Sequence, residues 1–264
     1  MEFIGGTMSD SSKRLYMHNL KRLNGGEFKD FNFLKKTDEI MKKMPSNKNT
    51  ARSYIIACVN SCKGRKGFGK ALKFYTNEMD SLNAELKNAT QKTERYLENE
   101  LSWNQILEAR DKLSKDSVEY VLMCLYTMIA PRRNLDMILK IGKPEPNSNW
   151  YDGNNFYFGN YKTKGTYNTQ VVEPPEELKH VINNYLEKRP FKTNDLLVKR
   201  SGKPFTTKDI QLTLNKVLNK KIGVTLLRSI YLSSKYGEVM QEMKKDAENM
   251  ATSSAVIQSN YVKH

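Results

Sequence analysis

The sequence predicts a mainly α-helical protein with a small antiparallel β-sheet, an α+β chain of two domains. Three observations predict it. Apolar residues recur at helical spacing through most of the chain, and a single segment, 155–172, alternates as strands do. The 264 residues, 38% of them hydrophobic, exceed the roughly 100 to 150 residues typical of one domain, so two cores are expected. Residues 1–12 are set aside as a disordered or non-native start, 13–98 form a helical first domain, and 99–264 form the second.

In the first domain, Tyr54, Ile55, Cys58, Val59 and Cys62 mark a helix over Thr50–Cys62, with Asn49 or Thr50 as its cap. Lys63-Gly64-Arg65-Lys66-Gly67-Phe68-Gly69-Lys70 follows, with three glycines among four basic groups. Such a segment reads as a mobile basic loop. It is either a phosphate-tracking element, through Lys63, Arg65, Lys66 and Lys70, or a solvated connector. A further helix is expected over Ala71–Arg95.

In the second domain, Val118, Val121, Leu122, Leu125, Met128 and Ile129 give Asp116–Ile129 a buried helical face. Pro131 must interrupt it, because proline has no amide hydrogen and clashes with the preceding turn. A second helix, Arg132–Leu139, is expected to start there and to set Arg133 and Asp136 on one face. Phe156 and Phe158, then Tyr167, Thr169 and Val171, predict a β-hairpin whose tip carries Lys162 and Lys164. Helices return with Leu178, Val181, Ile182, Tyr185 and Leu186, then with Ile210, Leu214, Val217 and Leu218. Two more are expected over Thr225–Tyr236 and Val239–Met250, and a short one over Ala255–Tyr261.

Charge narrows the class of partner. Lys and Arg number 44 against 29 Asp and Glu, a net +15. The surplus is spread as +8 over residues 1–98 and +7 over 99–264. Both domains are therefore expected to meet a polyanion, nucleic acid above all. No apolar run approaches the ~18 residues of a membrane span, and no secretory leader is visible. The expected protein is soluble and intracellular, with no membrane partner. Cys58, Cys62 and Cys124 fit neither a disulfide framework nor a zinc pattern. They read as reduced core thiols.

Phosphodiester exchange without a metal needs a nucleophile, cations for the five-coordinate phosphorus and an acid for the leaving oxygen. Ala130-Pro131-Arg132-Arg133-Asn134-Leu135-Asp136 resembles the Arg-x-x-Glu/Asp motif of tyrosine recombinases. Val224-Thr225-Leu226-Leu227-Arg228 resembles their His-x-x-Arg motif with the arginine kept. Met250-Ala251-Thr252-Ser253-Ser254, then Asn260-Tyr261, resembles their Gly-His-Ser-Ser segment with its tyrosine nine positions after the His slot. The likeness covers Leu101 to the end, and the first domain looks like the core-binding domain of the same enzymes. The wording from Tyr161 to Gln170 is most similar to integrases of virophages and large DNA viruses. A viral protein of that kind would act in a host viral factory, the nucleus or the virion.

The resemblance implies a site-specific recombinase that forms a 3′-phosphotyrosine through Tyr261. Arg133 and Arg228 would clamp the scissile phosphate, since a guanidinium offers a planar fork of donors and stays charged. Arg133 is preferred to Arg132 because only it has an acid three residues on, with Arg132 contacting the backbone nearby. Lys162 is the choice for general acid, and Lys164 the alternative, otherwise a DNA contact. The resemblance further implies double-stranded DNA as the partner, no cofactor, no metal, and a homotetramer assembled on that DNA. Two positions depart from the family. Thr225 and Thr252 occupy slots that usually hold imidazole or indole, and threonine takes no proton near neutral pH. The general base is thus open; none of His18, His180 and His264 sits at a motif position. Competing readings are strand relaxation of the type IB topoisomerase kind and a DNA-binding protein of the same fold with impaired catalysis.

Overall fold

The computed structural model describes residues 8–88, 94–143, 147–162 and 168–261. It divides into two compact units, residues 1–92 and 93–264. Helices dominate both, and one small sheet lies in the second, which is the expected fold class.

The first unit comprises α1 (Asp10–Asn24), a 3-10 turn (Asn32–Lys35), α2 (Thr37–Lys42), α3 (Lys48–Cys62) and α4 (Gly69–Asn88). Leu20 and Leu23 of α1, Ile55, Cys58 and Cys62 of α3, and Tyr75 of α4 share one core. Tyr75 is fully buried and its hydroxyl donates to the Leu34 carbonyl at 2.9 Å, so the 3-10 turn is held to α4. The cap of α3 is Asn47, whose side chain accepts from the Thr50 amide, rather than Asn49 or Thr50. An extended residue with a free side-chain oxygen was available earlier in the sequence, and the helix starts there.

Residues 63–68 form a double turn, and α4 begins at Gly69. Arg65 N–H bonds the Cys62 carbonyl, Phe68 N–H bonds the Arg65 carbonyl, and Phe68 is buried in the core. The sequence reading counted glycines and charges there but gave no weight to Phe68, whose burial fixes the loop.

In the second unit α5 (Glu94–Asn99) and α6 (Trp103–Asp111) precede α7 (Val118–Thr127). Every residue of α7 from Tyr120 to Tyr126 is buried, so this helix is the axis of the unit and is apolar around its whole circumference. Ser117 caps it by accepting from the Tyr120 amide. After Pro131 no helix forms over Arg132–Leu139. Asp136, Met137 and Ile138 bond back to Arg133, Asn134 and Leu135 in successive tight turns, and Leu139 already begins a strand.

That strand is β1 (Leu139–Ile141), followed by β2 (Asn149–Tyr151), β3 (Phe156–Phe158) and β4 (Gln170–Val172), ordered β1-β2-β3-β4. The expected hairpin is the antiparallel pair β3–β4, with Phe158 opposite Gln170. The sheet is mixed, because β1 runs parallel to β2. Both were missed: Leu139 was assigned to a helix, and Asn149-Trp150-Tyr151 does not alternate apolar with polar residues. Gly159 permits the close exit of β3, since a Cβ there would lie 2.7 Å from the Ser148 carbonyl. The expected hairpin tip, with Lys164, lies outside the described residues.

Next come α8 (Glu176–Lys188), α9 (Thr207–Leu218), α10 (Val224–Asn249) and α11 (Ser254–Val256), the last running into a π-helical turn, Ile257–Tyr261. Thr206 and Asp209 form a reciprocal capping box at α9. The helices expected over Thr225–Tyr236 and Val239–Met250 are one continuous helix. Gly237 weakens a helix by only about 1 kcal/mol, less than a break would cost in hydrogen bonds. Among the described residues no helix is long and apolar enough to cross a membrane.

Candidate functional site

The turn after α7 is fixed from three sides. Tyr126 donates to the Asn134 side chain at 2.8 Å, and Asn134 donates to the Thr207 carbonyl at the start of α9. Asn149, buried in β2, donates to both the Leu135 and Asn160 carbonyls and accepts from the Asn160 amide. One amide side chain thereby ties the arginine turn to the exit of β3. Sequence reading passed over it, although a polar residue in a strand with two aromatic followers was the available signal.

These restraints shape a cleft of about 240 Å³ lined by Ala130, Pro131, Arg132, Arg133, Asp136, Tyr161, Gln170 and Arg228. Arg132, Arg133 and Arg228 thus come together, from the turn and from the second turn of α10. Asp136 is the one acid in that lining. Its Oδ2 accepts from Arg132 Nε at 3.1 Å, while Oδ1 is buried without a hydrogen-bond partner. Arg132 Nη1 donates to Gln170 Oε1 at 3.0 Å, and its guanidinium lies 3.8 Å from the Phe158 ring centroid. Gln170 and Tyr161 were not singled out from sequence. The register that pairs Phe158 with Gln170 puts both on the same face of the sheet, so a glutamine at an inward strand position was the clue.

Charge in the cleft is unbalanced. Burial holds Arg132 below its usual range, Asp136 and Tyr161 work against that, and Arg228 adds to it. Burial raises the Asp136 carboxyl, while Arg132 and Arg133 pull it down. Three guanidinium groups face one carboxylate, which favours an added anion.

The other candidate residues are not part of this lining. Thr225 is exposed in the first turn of α10, and Lys162 is exposed past β3. Thr252 follows the end of α10, where its amide donates to the Ala247 carbonyl. Tyr261 is 62% exposed at the end of the π turn. Lys164 and His264 lie outside the described residues. In the first unit Lys63 and Lys66 are exposed on the double turn, and Lys70 is exposed in the first turn of α4. Arg65 instead donates to the Ser61 carbonyl and lies 4.2 Å from the Phe31 ring, and Lys35 sits 4.6 Å over the Phe68 ring beside them.

No family model matches the chain, and no curated protein matches it. Among solved structures it has a likeness to a "Crystal structure of XerA recombinase", with a TM-score of 0.40 and 18% identity, over 85% of this chain and 75% of that one. A likeness that loose does not assign a function; the residues of the cleft have to.

Proposed function

We propose that the chain is a DNA strand transferase of the tyrosine recombinase type. The observation that carries this reading is the cleft in which Arg132, Arg133 and Arg228 surround a single carboxylate. That is a site for a phosphodiester, and a net charge of +15 supplies the wider attraction for DNA. Arg133 and Arg228 clamp the scissile phosphate. Arg132, held by Asp136 and Gln170, braces the wall of the cleft. Tyr261 attacks phosphorus, the bond to the 5′ oxygen breaks, the phenol gives up a proton and the 5′ oxygen gains one from Lys162 or Lys164. The phosphotyrosine conserves the bond energy, so neither nucleotide nor metal is consumed. Lys63, Lys66 and Lys70 hold the phosphate backbone from the first domain, and recombination proceeds in a homotetramer assembled on two duplexes.

The test is adduct trapping on a nicked suicide duplex. Wild type is expected to become covalently attached in the presence of a chelator, and Tyr261→Phe to bind the duplex without attachment. Attachment of Tyr261→Phe at the wild-type level would place the nucleophile elsewhere. Loss of attachment on chelation would reject the metal-free route.

A further inference from the structure

We infer that the side-chain amide of Gln170 is a catalytic donor, binding a non-bridging oxygen of the phosphodiester from the wall of the arginine cleft. This rests on the proposed function and adds a residue to its active site. Gln170 opens β4 opposite Phe158, so the two side chains leave the same face of the sheet. The Phe158 ring centroid lies 3.8 Å from the Arg132 guanidinium, and Gln170 Oε1 accepts from Arg132 Nη1 at 3.0 Å. That contact fixes which way round the amide sits. A guanidinium has donors and no acceptor, so the atom against Arg132 must be the oxygen, and both Nε2 hydrogens point elsewhere. Neither meets an acceptor among the described residues, in a half-buried side chain that lines the cleft.

Elimination leads to the same residue. Of the uncharged side chains in the lining, Ala130 and Pro131 carry no donor. Tyr161 spends its single hydroxyl hydrogen on the Asn168 carbonyl at 2.6 Å. Thr225 and Thr252, at the slots where imidazole or indole was expected, are not in the lining. Gln170 is therefore the uncharged side chain there with donors to give. Arg132 strengthens them. It has committed Nε to Asp136 and Nη1 to Gln170, and an amide whose oxygen accepts from a cation is polarised into a better N–H donor. Part of the Arg132 charge thus reaches the cleft through a neutral group. As phosphorus becomes five-coordinate, charge grows on its non-bridging oxygens, and a donor already held in place stabilises it without reorganisation.

Two substitutions separate donation to phosphate from the holding of Arg132. Gln170→Glu keeps an acceptor for Arg132 and loses the donor, whereas Gln170→Met has neither. Single-turnover adduct formation on the nicked duplex is expected to slow by roughly 10² in both, the scale on which loss of one preorganised donor is felt. The unfolding midpoint of Gln170→Glu is expected to equal or exceed that of wild type, because its contact with Arg132 remains. A wild-type rate in Gln170→Glu would confine Gln170 to holding Arg132 and overturn the inference. Duplexes in which sulfur replaces one non-bridging oxygen of the scissile phosphate, each stereoisomer taken separately, give a second readout. Sulfur accepts hydrogen bonds weakly, so the preference of wild type between the two isomers is expected to change several-fold in Gln170→Met. An unchanged preference would mean that the amide does not reach the phosphate. Wild type that formed no adduct on the all-oxygen duplex would sink the proposed function instead, so the two failures are distinct.

Discussion

Asp136 pairs with Arg132, four residues away, at 3.1 Å, and not with Arg133, three away. A helix would allow the same four-residue pairing; here it is made across successive tight turns, and Arg133 lines the same cleft. The Asp136 side chain is 3% exposed and that of Arg132 18%, so the pair is shielded from water. Truncating either partner leaves the other buried without its counter-charge. Arg132→Ala is therefore expected to destabilise the second unit by about 3 to 5 kcal/mol, and Arg133→Ala by less than ~1 kcal/mol. Chemical unfolding checks this; equal losses would remove Arg132 from its bracing role.

The phosphate clamp predicts the opposite ranking for chemistry. Arg133→Ala and Arg228→Ala are each expected to slow adduct formation by roughly 10² or more, as when a preorganised charge-stabilising group is removed. Single-turnover cleavage is the measurement. A loss below about tenfold in both would reject the clamp.

Ala251 ends α10 at φ +50°, with its amide bonded to Glu248 and that of Thr252 to Ala247. This is the left-handed closing position of a helix, where a Cβ is strained and glycine is favoured. Ala251→Gly is expected to stabilise the helix end by roughly 0.5 to 1 kcal/mol. Hydrogen exchange of the last turn of α10 reads it directly, and faster exchange would contradict the strain.

Asp209 predicts the acid response. Its Oδ2 accepts from Lys199 at 2.8 Å and from the Thr206 amide and hydroxyl, which lowers its pKa from 3.8 to about 2. A depressed folded pKa contributes stability that is present above the unfolded value and lost as pH falls through the folded one. The contribution should thus hold above pH 3.8 and fade towards about 2. Asp209→Asn is expected to flatten the stability profile across that window, measured by urea titration at a series of pH values. An unchanged slope would mean that the capping carboxylate is not coupled to unfolding.

No histidine lines the arginine cleft, and threonine stands at both positions where the resembled family places imidazole or indole. Adduct formation should then vary little between about pH 6 and 8, the range in which a histidine would titrate. A step near ~6.5 that vanishes in His264→Ala would identify the terminal histidine as the base.

The sequence by itself determined the local pieces whose signal is dense. The buried face carrying Val121, Leu122 and Leu125 was legible, although the burial of every residue from Tyr120 to Tyr126 was not. The alternation at Phe156 and Phe158 announced the hairpin, and the spacing of Ile210, Leu214 and Leu218 announced α9. Periodicity reports which face of an element meets a core, so elements long enough to repeat were legible. Tertiary structure decided the rest. Whether Pro131 opens a helix or a turn depended on Tyr126 and Asn149, which hold Asn134 and Leu135 from other elements. Spacing left Asp136 open to either arginine, three or four residues away, and packing settled it on Arg132; Gln170 joined the cleft only through strand register. That 225–236 and 239–250 would form one helix was equally invisible in the sequence. It depends on whether the chain bends at Gly237, and that is set by what packs on either side of α10 more than by the glycine's own helix propensity.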